Sequence, residues 1–233
     1  MWSGQAPICF PICGGLRDGR AMTRAGHEVN LARHGFARKQ EWKLEEQSDN
    51  MVALSLSSAD HAELLEQYPY PFKIVARYTI DAEKVAVSYE VTNEGTEDMP
   101  FFVGGHPGFK CPLDEGESYD DYELRFEQRE AAELCTAVPS TGLIDVEHRS
   151  KNPMVGHDLP LTHELFGFAE TIFDVLESHV VTLTKKTEDK GVRLTFPDMP
   201  YLIVWSKPEG DFVAVEPWGG LSLSLIHISE PTR

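Results

Sequence analysis

A chain of 233 residues with 41% apolar and 25% charged residues has the composition of an ordinary globular protein rather than a disordered or fibrous one. Its formal net charge of −17 repels polyanions, so nucleic acid is not an expected partner, because phosphate-backbone binding depends on clustered Lys and Arg. No apolar run reaches the length needed to cross a bilayer, and Met1-Trp2-Ser3-Gly4-Gln5 lacks the basic and apolar regions of a signal peptide, so the expectation is a cytoplasmic protein without a membrane role.

Length and composition fit one domain. Cys9, Cys13, Cys111 and Cys135 show no repeated C-x-x-C pairing and read as reduced thiols rather than a disulfide framework. Cys9 and Cys13 followed by His27 and His34 have C-x3-C and H-x6-H spacings that fit the usual zinc pattern poorly, so no metal is expected.

Taken in chain order, the dominant signal is alternation with period two, which sends one set of side chains to a buried face and the other to water. Phe72, Ile74, Ala76, Tyr78 and Ile80 form one apolar set, and Val85, Val87, Tyr89 and Val91 form the next. The intervening Asp81-Ala82-Glu83 makes this a hairpin, closed by Asn93-Glu94-Gly95. Further strands are expected at Met99 to Val103, Tyr122 to Phe126, Val180 to Thr184, Val192 to Phe196, Tyr201 to Trp205 and Phe212 to Val215. Asp60 to Gln67 and Thr162 to Phe166 have room for a helical turn or two. Gly108 to Asp120 and Ser140 to Leu161 read as long irregular loops of the kind that shape binding sites. Many antiparallel strands with few helices imply an all-β sandwich.

Four segments combine reactive side chains with the Gly and Pro that fix unusual backbone. Ala6 to Gly19 opens from an apolar run into a Gly-rich turn carrying Arg17 and Asp18, without the pattern of a P-loop. Arg33 to Arg38 brackets an aromatic residue with His34 and Arg38, and by itself reads as a surface loop. Gly104 to Phe109 holds His106 between glycines and a proline; a histidine titrates near neutrality and can give a proton to an ether oxygen and take it back, or simply satisfy a turn. Val213 to Gly220 places Glu216 on the opposite face from Val213 and Val215, at a strand end beside Trp218. Partial desolvation would raise the pKa of that carboxylate and make it a base near neutral pH, and the tryptophan could stack on a sugar ring. A lone exposed Glu ahead of a proline is the plainer alternative.

Together these segments resemble the aldose 1-epimerase (galactose mutarotase) family, in its shorter bacterial branch. The strings A-P-I-C-F-P-I-C-G-G-L-R-D-G, R-H-G-F-A-R, Y-P-Y-P-F, G-G-H-P-G-F and V-A-V-E-P-W-G-G occur in the family's order between Trp2 and about Ser222. The resemblance implies a galactose mutarotase-like β-supersandwich, a small-molecule sugar substrate, interconversion of α and β anomers, and no metal or organic cofactor. It makes Glu216 the base at the anomeric hydroxyl and His106 the acid at the ring oxygen. His34, Arg38 and Trp218 are expected to bind substrate. Gly15 stands where family members often carry Arg, a contact Arg17 would have to supply; Glu170 stands where many relatives carry Asp. A hexose-6-phosphate 1-epimerase would need a basic pocket, and Arg17, Arg20 and Arg38 form no tight cluster in the sequence. A non-catalytic carbohydrate-binding protein is the alternative outside enzymology. A glycosidase would usually need a second carboxylate, for which Glu170 is the weak candidate.

Both ends depart from the family pattern. The match begins almost at Met1, where relatives have further strands, so the domain over 1–222 is expected to be incomplete. Residues 223–233, Leu223 to Arg233, read as the in-frame translation of a sequencing-library adapter, in spite of the alternation of Leu221, Leu223 and Leu225. A genomic reading frame that replaces this tail with family-like residues is the expected outcome; one that runs unchanged through Arg233 would defeat that reading.

Overall fold

The computed structural model describes residues 8–221, apart from 139 and 168. The suspected tail, 223–233, lies outside the described residues. The first strands are β1 (Ile8–Cys9), β2 (Arg20–Met22), β3 (Glu28–Asn30), β4 (Lys43–Ser48), β5 (Met51–Ser57), β6 (Phe72–Asp81) and β7 (Lys84–Asn93). They are followed by β8 (Gly104–Gly105), β9 (Gly108–Lys110), β10 (Tyr122–Phe126), β11 (Leu134–Val138), β12 (Leu143–Ser150) and β13 (Asp158–Pro160). The last are β14 (Thr171–Phe173), β15 (Val180–Lys185), β16 (Gly191–Thr195), β17 (Tyr201–Trp205) and β18 (Phe212–Trp218).

The largest sheet has the order β1-β8-β18-β17-β14-β11-β12, with β9 also on β18. A second sheet, β13-β10-β15-β16, stacks on one of its faces. Alternation explains how. Leu202 and Val204 of β17 and Val213 and Val215 of β18 point into the core, where they meet Tyr122, Leu124, Phe126, Val181 and Leu183 of the stacked sheet. The residues between them, Ile203 on β17 and Glu216 and Trp218 on β18, therefore face the other way.

That opposite face has a small core of its own, where Ile203 and Trp218 meet Cys9 and Cys13 of the segment around β1. The other side of that segment packs on the meander β4-β5-β6-β7 in a third core. Its centre is Phe10, fully buried, with ring centroids 5.2 Å from Phe72, 5.9 Å from Phe101 and 6.1 Å from Phe36. The expected hairpin is β6 and β7, paired from Phe72↔Asn93 to Asp81↔Lys84. Ala82 makes its tight turn in the left-handed region, at φ 51°.

Several expectations need correction. Met99 to Val103 is not a strand; the strand is the next two residues, Gly104–Gly105, while Met99, Phe101 and Val103 pack on the Phe10 core. The stretches read as loops, 108–120 and 140–161, contain β9, β12 and β13. β12 escaped because it is an edge strand whose last residues, Glu147 to Ser150, are exposed and polar, leaving no apolar alternation to read. β4 is exposed throughout for the same reason. The two helical stretches are single 3-10 turns, Ala62–Glu66 and Glu164–Phe166.

Gly35 is a tight joint within the Phe10 core. It bridges to Phe10 at φ 70°, and a Cβ there would stand 2.1 Å from the Phe10 carbonyl oxygen. Gly26 has a similar φ of 84° but open space around it. Gly35→Ala should therefore cost about 3 kcal/mol or more, from backbone strain plus overpacking, and Gly26→Ala only about 1 kcal/mol. Urea unfolding of the two variants checks this; equal costs would mean that Gly35 is not the joint described.

Candidate active site

β8 is held between β1 and β18, with Cys9↔Gly104 on one side and Trp218↔Gly104 on the other. Only glycine fits there, since a Cβ on Gly104 would lie 2.7 Å from Trp218 Cδ1 and 2.9 Å from Cys13 Sγ. The chain leaves this slot directly into His106, and the Val215 N–H donates to the Pro107 carbonyl at 3.2 Å, which ties the turn to β18. His106 is thereby laid over Glu216.

His106 Nε2 and Glu216 Oε1 are 3.2 Å apart, with side chains 9% and 2% exposed. Glu216 is placed by register: it pairs with Ile203 inside β18, not at a strand end, because the strand continues through Pro217 to Trp218. Burial pushes the Glu216 carboxyl well above the usual carboxylate range, with Cys9 and Glu170 adding to the effect and Arg33 opposing it. Burial also lowers His106, to about 4. The Trp218 indole N–H lies close enough to favour the carboxylate, yet neither it nor Glu216 Oε2 has a partner of hydrogen-bond geometry.

His34 sits in the left-handed region at φ 65°, a conformation histidine tolerates better than most side chains. Gly14 fixes it from two sides: the His34 N–H donates to the Gly14 carbonyl at 2.7 Å, and the Gly14 N–H donates to His34 Nδ1 at 3.1 Å. The Arg33 Nε–H approaches the other ring nitrogen at 3.3 Å. A neutral imidazole accepts at one nitrogen only, so the Gly14 bond to Nδ1 leaves the ring proton on Nε2. Burial, the largest cause, and the neighbouring cations lower the His34 pKa to about 2. Its ring stands edge-on to His106 and Trp218, with centroids 5.3 and 5.4 Å away.

These groups line one pocket of about 270 Å³, near the lower end for ligand sites and suited to one small molecule. The wall includes Arg33, Arg38, Glu170 and Trp205 besides the three residues just described and Trp218. Arg33 and Glu170 form an ion pair across the rim.

Six of the seven residues singled out in the sequence meet here: His106, Glu216, His34, Arg38, Glu170 and Trp218. Arg17 does not; it is exposed on the 3-10 turn Arg17–Gly19, outside the lining. A side chain on Gly15 would run into Gly142, and a Cβ on Gly142 would in turn meet Arg33 Nη1 at 3.3 Å, so the basic group at this corner is Arg33. Arg33, Ile203 and Trp205 were not picked out in the sequence. Arg33 stood inside the R-H-G-F-A-R string, and Trp205 shares the alternating face of Ile203, two signals that could have found them. Trp218 is only 3% exposed and forms a wall, whereas Trp205 is half-buried and presents more of its ring. Among the described residues no group of three His, Cys, Asp or Glu side chains is placed to hold a metal, and no helix is long and apolar enough to cross a membrane.

The nearly all-β scaffold holds a buried imidazole and carboxylate in one small pocket, and comparison with known proteins gives the class to which such a molecule belongs. A sequence model of the family described as aldose 1-epimerase matches residues 3–227. The chain is 42% identical over 230 residues to the plasmid and the chromosomal forms of Protein LacX of Lactococcus lactis subsp. lactis, covering 96% of this chain and 76% of each relative. Among solved structures, a galactose mutarotase-like protein from Lactobacillus casei superposes with a TM-score of 0.82 at 29% identity, over 95% of this chain and 77% of that one. A galactose mutarotase related enzyme from Lactobacillus acidophilus gives 0.83 at 25% identity, over 99% and 78%. The chain belongs to the aldose 1-epimerase family, and its fold is the galactose mutarotase-like β-sandwich.

The desolvated pocket makes a prediction for the ring protons. His34 and His106 should remain neutral at pH 6, titrating only near or below pH 4, while exposed His148, raised by its hydrogen bond to Asp145, should keep its proton above its usual pKa. Long-range ¹H–¹⁵N spectra across pH 3 to 8 check this. A pocket imidazole that gains its proton between pH 6 and 7 would contradict the burial argument.

Proposed function

We propose that this protein is an aldose 1-epimerase that interconverts the α and β anomers of a hexose by acid and base catalysis of ring opening. The observation that carries this reading is the His106–Glu216 contact of 3.2 Å at the buried side of a sugar-sized pocket. Burial makes Glu216 a stronger base than an exposed glutamate and makes protonated His106 a stronger acid than an exposed imidazolium, which is the pairing the reaction needs.

A buried pair favours no net charge, so the two groups hold one proton between them. Passing that proton from Glu216 to His106 prepares both at once. The Glu216 carboxylate then takes the proton of the anomeric hydroxyl, the C1–O5 bond breaks, and the ring oxygen takes the proton of His106. Rotation about C1–C2 in the open aldehyde presents its other face. Closure returns both protons. Neutral His34 holds sugar hydroxyls, Glu170 and Arg33 offer an acceptor and a donor at the rim, and Trp205 and Trp218 supply the apolar wall. A cytoplasmic setting belongs to the same proposal, supported by four buried cysteines that are all free thiols.

Anomer exchange measured by NMR or polarimetry on a panel of aldoses tests the reading. Glu216→Gln and His106→Asn should each lower kcat by about 10²–10⁴-fold, the usual contribution of a positioned acid or base. If the wild-type chain accelerates exchange of no aldose, or Glu216→Gln leaves the rate unchanged, the reading fails.

The pH dependence follows from the shared proton. Activity needs one proton on the pair, so it should fall on the acid side as the pair takes up a second proton, near the lowered His106 value of about 4. On the alkaline side it should fall when the last proton leaves the pair, above the ordinary carboxylate range. A kcat/KM profile flat through neutrality with an acid limb near pH 4 is expected; an acid limb at 6.5 would point to an ordinary exposed histidine instead.

A further inference from the structure

Trp218 and Glu216 stand two residues apart on β18 and share its face towards the pocket. The indole packs with Cys9, Cys13, Ile172 and Ile203 in the small core behind that face, side chains that accept no strong hydrogen bond. Gly104 of β8 is pressed against Trp218 Cδ1, the carbon bonded to Nε1, so the N–H edge of the ring lies against the strand that leads to His106. Among the described residues, the donor Trp218 Nε1 and the acceptor Glu216 Oε2 are both buried without a hydrogen-bond partner. An apolar wall explains an aromatic ring here but not an indole, since phenylalanine would fill it without burying an unpaired N–H.

The other groups that face Glu216 do not take Oε2. His106 meets Oε1 from the turn after β8. Arg33 favours the carboxylate through its charge but is tied to Glu170, while Cys9 of β1 and Glu170 itself act against it. Neutral His34 and Arg38 also line the pocket. We propose that Trp218 is a positioning residue: when Glu216 gives its proton to His106, the indole N–H closes on Oε2 and holds the carboxylate as the acting base. This rests on the mutarotase reading of the same pocket. A carboxyl that keeps its proton is a weak acceptor, whereas a carboxylate accepts a short charge-assisted bond. The indole therefore adds little to the resting neutral pair and stabilises the ion pair that precedes ring opening.

Removing the N–H destabilises every state in which Glu216 is ionised. The prepared state, a carboxylate beside protonated His106, becomes rarer, which lowers kcat. The state with no proton on the pair also becomes rarer, so the last proton leaves at higher pH. Uptake of a second proton turns a neutral imidazole into an imidazolium beside a neutral carboxyl, and no carboxylate takes part. Trp218→Phe should therefore lower kcat by about ten- to a hundredfold, the range of a hydrogen bond to a charged group, and change KM by less than about threefold. The alkaline limb of its kcat profile should move up by about one to two pH units, while the acid limb near pH 4 stays in place. A second readout needs no active variant. The wild-type Trp218 indole ¹H–¹⁵N signal, identified by its loss in Trp218→Phe, should move downfield as pH rises through the alkaline limb. The Trp42 indole N–H already donates to the Ala37 carbonyl at 2.9 Å, and its signal should hold still.

A Trp218 signal that holds still while the pair loses its last proton overturns the proposal. So does a Trp218→Phe variant whose kcat is unchanged, or whose kcat falls with both limbs in place, the result a merely structural wall would give. Each of these leaves the mutarotase reading standing. A Trp218 signal that moves with pH in a chain that exchanges no aldose does the reverse: the indole contact stands and the catalytic reading fails.

Discussion

Keeping a carboxylate and an imidazole 3.2 Å apart while both are nearly stripped of water is the constraint around which the pocket is organised. Each group alone would be driven to its neutral form by desolvation. Together they can remain neutral as a unit with a proton between them, which is why the site tolerates this degree of burial and what the proposed acid and base roles require. The packing enforces the pairing. Glu216 is held in mid-strand by its register with Ile203, and His106 leaves a slot so narrow that Gly104 is the largest residue it accepts.

The same constraint bears on how the fold divides into three cores. Strands β17 and β18 turn one face to the aliphatic and aromatic core shared with β10 and β15, and that face holds them rigid. Their other face is left for chemistry. The segment around β1 meets it through Cys9 and Cys13, and His34 and Arg38 reach the pocket from a part of the chain far away in sequence. Gly35, pressed against the Phe10 carbonyl, fixes the His34 loop to that segment. The electrostatics are local in consequence: a strongly acidic molecule carries a pocket lined by two arginines, of which Arg33 is paired with Glu170.

Legibility followed the apolar pattern of the sequence rather than burial itself. β6, β7, β10, β15, β17 and β18 could be read because apolar residues recur along each, even though β7 is largely exposed and β18 is buried on both faces. β4 and the outer half of β12 could not, since they carry too few apolar residues to alternate, and β8 could not because two glycines carry no hydropathy signal at all. In the site, His106 and Glu216 were legible through the glycines and prolines that frame them and through the facing of Val213 and Val215. Arg33 and Trp205 were less so: an arginine beside a histidine and an aromatic in an apolar strand each have common structural explanations.

Sequence alone determined the all-β class, the family resemblance and the chemical identity of the central pair, because alternation and short Gly/Pro-framed strings are local properties that survive without a fold. Tertiary structure decided which residues share one pocket. It moved Arg17 out and brought Arg33 in, and turned Trp218 into a wall and Trp205 into the more open ring. Those outcomes depend on strand register and on the approach of segments separated by more than a hundred residues, and on how much water each group loses there. No local pattern in the chain encodes that quantity.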